Sequence, residues 1–71
     1  MARTTKSLDS SVLAAVTYDS ATQILEVEFQ TGRVYWYFDV PQAVFDALIA
    51  SDSAGAYFNH EIRDGYSFRE L

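Results

Sequence analysis

The stretch Leu25-Glu26-Val27-Glu28-Phe29-Gln30-Thr31-Gly32-Arg33-Val34-Tyr35-Trp36-Tyr37 decides the fold. Apolar and polar residues alternate on the way into Thr31-Gly32, and a second alternating run leaves it, which is the pattern of a β-hairpin. Register then decides which aromatics are inside. Were Thr31-Gly32 a two-residue turn, Val27 would face Trp36, and Val34, Trp36 and Phe38 would line the core. With Gly32 as the left-handed residue of a three-residue loop closed by a bulge, Val27 faces Tyr35 and Leu25 faces Tyr37. This second register is the expectation, because a type I′ turn needs positive φ at both central residues and β-branched Thr31 resists it. Tyr35 and Tyr37 then point inward. Val34, Trp36 and Phe38 form an apolar strip on the face that carries Glu26 and Glu28, an interaction face to be covered by a helix or a partner.

Upstream, Ser11 to Tyr18 reads as a strand, with Val12, Ala14, Val16 and Tyr18 on one side and Leu13, Ala15 and Thr17 on the other. Apolar groups on both sides imply a strand at least partly covered on both faces. Asp19-Ser20-Ala21-Thr22-Gln23 is a polar connection in which Asp19 can accept a hydrogen bond from the backbone two residues on. Residues 1–9 read as a flexible leader and residues 10–71 as one domain. Downstream, Val40-Pro41 ends the third strand and opens a helix whose Val44, Phe45, Leu48 and Ile49 form one apolar stripe. Ser51-Asp52-Ser53 interrupts it, Ser53 caps a second, shorter helix over 54–63, and Gly65 stops that one. Tyr66, Phe68 and Leu71 belong to a closing segment that returns to the domain. The expected fold is therefore α+β: a three-stranded antiparallel meander followed by two short helices packed on the sheet.

A domain of 71 residues removes only roughly 60% of its unfolded surface from water, so its stability alone is marginal. No cysteine is available for disulfides, and the single His60 cannot build a zinc site, which leaves self-association as the stabilising route. A homodimer, or docking on another protein, is the expectation. No metal and no cofactor are expected: the Asp19–Gln23 connection lacks both the acid spacing and the glycine of a calcium loop. No apolar run approaches a bilayer span and no hydrophobic signal stretch opens the chain, so a cytoplasmic protein with no membrane partner is the expectation. The net charge is −5, with ten acids after residue 7 against Arg33, Arg63 and Arg69. That balance disfavours nucleic acid.

Catalysis finds little support. His60 and Ser53 stand seven residues and two helical turns apart, and Glu26 and Glu28 share a strand face where they serve solubility better than acid–base chemistry. Tyr35 and Tyr37 are expected in the core, their hydroxyls partnered by Asn59 and Arg63 at a four-residue helical spacing. Gly55 is expected to permit close helix packing.

Taken in order, Ser10, Tyr18-Asp19, Leu25-x-Val27-x-Phe29, Gly32, Tyr35-x-Tyr37, Val40-Pro41 and Ser53-x-Gly55-x-Tyr57-Phe58-Asn59-x-x-Ile62-Arg63-x-x-Tyr66 resemble the KTSC domain family over about residues 10 to 71. That family is named for its occurrence at the C-terminus of some lysyl-tRNA synthetases and is also found as stand-alone bacterial proteins. Thr17 departs from the glycine more usual there. The resemblance implies Tyr35, Tyr37, Ser53, Gly55, Asn59, Arg63 and Tyr66 as motif positions, brings no established active site to carry over, and implies RNA contact as the role drawn from the synthetase association. The residues for such contact would be Arg33, Tyr35, Tyr37, Arg63 and Arg69. The leading expectation is a non-enzymatic interaction module working through Val34, Trp36 and Phe38, with the RNA module as its alternative.

Overall fold

A computed structural model describes residues 3–71. In chain order the elements are β1 (Arg3–Ser7), β2 (Leu13–Asp19), β3 (Ile24–Phe29), β4 (Val34–Tyr37), α1 (Gln42–Ala50), α2 (Ala54–Tyr57), a π-helical turn (Phe58–Ile62) and β5 (Phe68–Glu70). The five strands form one antiparallel sheet in sequence order. The expected three-stranded meander is its centre, and the two edges extend it. Arg3–Ser7 of the expected leader pairs with β2, while residues 1 and 2 lie outside the described residues. The closing segment pairs with β4 as β5.

The hairpin adopts the bulged register. Val27 lies opposite Tyr35 and Leu25 opposite Tyr37, with Gly32 at φ +93°. Leu25 and Val27 are fully buried and Tyr37 is nearly so. Across the sheet, one inward row runs Thr4, Tyr18, Leu25, Tyr37, Phe68, and the next runs Lys6, Val16, Val27, Tyr35, Glu70. Both helical segments pack on this inward side, contributing Phe45 and Leu48 from α1 and Phe58 and Ile62 from the π-turn to a single core cluster.

In β2 the strict alternation gives way to a bulge between Leu13 and Ala15. One extra residue lets Leu13 and Val16 face the same side. Both are buried while Val12 is left exposed, so the strand has one core face and, with Ala15 and Thr17 half-buried, one partly covered face. The Asp19 carboxylate accepts from the Ala21 N–H at 3.0 Å, as expected of that connection.

The second helix is not uniform. Ser53 caps it, its hydroxyl accepting from the Ala56 N–H at 3.3 Å, but after one α-turn the Arg63 N–H reaches back to the Phe58 carbonyl at 2.9 Å, five residues away. Gly55 is buried, and a Cβ there would stand 3.4 Å from the Val12 side chain, in keeping with a close-packing role.

Candidate functional site

Four segments converge on an open groove of about 510 Å³ at the hairpin end of the inward face. Its floor is aromatic. Phe58 meets Phe29 and Tyr37 edge to face, each at 5.4 Å between ring centroids, an arrangement in which positive ring edges meet negative faces. Tyr35 stacks against Tyr37 at 6.4 Å, and Phe68 leans on Tyr35 and Tyr37 at 5.8 and 5.7 Å. Phe68 forms a wall that stays 57% exposed, although its strand neighbours are aromatic.

Polar groups rim these rings. Arg33 comes from the β3–β4 loop, Asn59 from the π-turn, and Arg63 and Asp64 from just beyond it. The π-turn matters here. Asn59 within it and Arg63 at its C-cap both line the groove, and such turns recur at functional sites. Burial pushes the Tyr37 phenol above its ordinary pKa, Tyr35 adds to that shift, and the Arg63 charge opposes it.

The expected partners of the tyrosine hydroxyls are not the ones found. Tyr35 donates to Glu70 Oε1 at 3.2 Å, and neither tyrosine bonds Asn59 or Arg63. Glu70 Oε2 also takes the Arg33 guanidinium at 3.3 Å. Sequence reasoning had Arg33, Tyr35, Tyr37, Asn59 and Arg63, all of which line the groove. It missed the lining residues Phe29, Phe58 and Phe68, and it missed Glu70, which holds Arg33 and Tyr35 without itself lining the groove. The alternation Tyr66-x-Phe68-x-Glu70 is the signal that could have placed β5.

Arg69 is separated from this constellation. It faces the other side of the sheet, in the row Thr5, Thr17, Glu26, Trp36, Arg69. Trp36 looks outward there as the bulged register requires, half-buried, its indole N–H donating to Glu26 Oε1 at 2.9 Å. Val34 and Phe38 are half-buried as well. Of the remaining motif positions, Ser53 is a helix cap, Gly55 a packing contact, and Tyr66 packs against the core cluster. His60 is exposed. Among the described residues no three His, Cys, Asp or Glu side chains gather as a metal site, and no helix is long and apolar enough to cross a membrane.

Comparison with known proteins follows the same residues. The KTSC domain model matches residues 9–66. An uncharacterised protein of Stutzerimonas stutzeri is 50% identical over 52 residues, covering 73% of this chain and 73% of that protein. The lysine–tRNA ligase of Nostoc punctiforme is 38% identical over 63 residues, 89% of this chain but only 11% of the ligase. The crystal structure of a KTSC domain protein from Yersinia pestis superposes with a TM-score of 0.90 at 25% identity, over 99% of both chains. With more than half its length matched by the family's pattern and its whole fold shared, this chain belongs to the KTSC domain family.

Proposed function

We propose that the chain is a non-enzymatic binding module whose working surface is the aromatic groove, and that its ligand is single-stranded RNA. The observation that carries this reading is the meeting of Arg33 and Arg63, thirty residues apart in sequence, at the rim of one cluster of aromatic rings. Unpaired bases stack on such rings while guanidinium groups hold the phosphates. A groove of this volume falls within the usual range for ligand sites. Relatedness to a segment of lysine–tRNA ligases agrees with an RNA ligand. Asn59 adds an amide able to hydrogen-bond a base edge.

The test is fluorescence anisotropy of an end-labelled single-stranded oligonucleotide across a salt series. Two phosphate contacts predict a slope of log K against log salt no steeper than about −1.4. Phe68→Ala, which removes the exposed wall, should cost about 1–3 kcal/mol of affinity. An unchanged anisotropy at low salt would remove the reading.

A second reading draws on the opposite face. Both helical segments lie on the inward side, so no helix among the described residues covers Val34, Trp36 and Phe38. That strip would then dock a second copy, with Thr5, Thr17, Glu26 and Arg69 as polar neighbours that dilute its apolar character.

A further inference from the structure

We infer that Glu70 fills the anion subsite of the groove from within the chain, and that a ligand phosphate must displace it. This rests on the RNA reading above. One carboxylate receives both the Arg33 guanidinium, at 3.3 Å, and the Tyr35 hydroxyl, at 3.2 Å, and both donors line the groove. A guanidinium and a phenol converging on the two oxygens of one anion form a cradle for a carboxylate or a phosphate oxygen. The chain therefore displays the class of anion that this corner accepts.

Occupancy by Glu70 is exchangeable for three reasons. Both contacts lie at the long end of hydrogen-bonding distance. The paired side chains are 66% and 45% exposed, where water and salt leave such pairs weak. The strand that carries Glu70 is three residues long, wholly exposed, and forms the edge of the sheet. A displaced carboxylate turns into solvent without uncovering core. Arg33 and the Tyr35 hydroxyl then become available to the ligand, and β5 acts as an intramolecular competitor that sets the affinity of the site.

The test compares binding of an end-labelled uridine hexanucleotide by the native protein, Glu70→Gln and Glu28→Gln. Glu28 lies across the sheet from Val34, on the outward face, and its substitution changes net charge by the same amount. Glu70→Gln should bind about two- to five-fold tighter, the range set by an exposed ion pair, and Glu28→Gln less than about 1.5-fold tighter. In an Arg33→Met, Tyr35→Phe background the gain from Glu70→Gln should fall to that of Glu28→Gln, because both groups it competes for are gone. Equal gains at Glu70 and Glu28, or a full gain that survives removal of both Arg33 and the Tyr35 hydroxyl, would overturn the competitor while leaving the groove as an RNA site. Absence of binding by every variant would overturn the groove reading, and this inference with it.

Discussion

Tyr18 stacks on Phe45 at 5.1 Å, and its hydroxyl donates to the Val40 carbonyl inside the core. Tyr18→Phe leaves that carbonyl without its donor, and should lower stability at neutral pH by about 1–3 kcal/mol. Burial, with the charges of Asp19 and Asp46 behind it, raises the Tyr18 pKa above 10.0. The folded state thus holds the neutral phenol more firmly than the unfolded chain does. Its contribution is complete below pH 10, and is lost as pH climbs through the folded value. Urea melts from neutral pH to about pH 12 should show an alkaline fall that Tyr18→Phe makes shallower, with Tyr37, raised mainly by burial, sustaining the remainder. An unaltered alkaline slope in the variant would deny Tyr18 this part. At this scale the sequence was partly legible: alternation put the phenols of Tyr35 and Tyr37 on the inward face, but a hydroxyl's partner depends on what the fold brings alongside. For Tyr35 that is Glu70, thirty-five residues on.

The β3–β4 hairpin was the most legible element because a single backbone requirement chose its register. Gly32 sits at φ +93°, and a Cβ there would meet no heavy atom within 4 Å. Gly32→Ala should therefore cost about 1–2 kcal/mol from backbone strain alone, measured as a shift in urea midpoint at unchanged m-value. A changed m-value would indicate a register slip instead. The edge strands were illegible for the opposite reason. Every residue of β1 and β5 is exposed, so their pairing is by backbone and leaves no alternation of burial to read, only the weak Tyr66-x-Phe68-x-Glu70 spacing at β5. The β2 bulge was hidden by alanines, which suit either face. The π-turn was hidden because Phe58 and Ile62, four apart, are as natural to an α-helix. Asn59 and Arg63 read as neighbours on one helical face with or without that turn, and that the face borders a groove depends on the aromatic rings the fold sets beside it.

Seen as a whole, the molecule puts its two candidate surfaces on opposite sides of one sheet. Tyr35, Tyr37 and Phe68 occupy the inward rows, and Trp36 and Arg69 share an outward one. Composition could not reveal this division, because it reports a net charge of −5 and says nothing of where Arg33 and Arg63 meet. The overall field repels an incoming phosphate, so affinity at the groove must come from short-range contacts. Those contacts lie on the far side of the sheet from Trp36, and the two surfaces should be separable by mutation. Trp36→Ala removes the centre of the outward strip and its bond to Glu26. It should leave RNA affinity unchanged, and in sedimentation should convert any dimer to the 8.0 kDa monomer. Phe68→Ala should do the reverse, weakening RNA binding while preserving the native mass. A native protein that already sediments as a monomer would remove docking of a second copy on the outward strip. Loss of RNA binding in a folded Trp36→Ala protein would instead place the RNA on the outward face, where Arg69 stands, and take it from the groove.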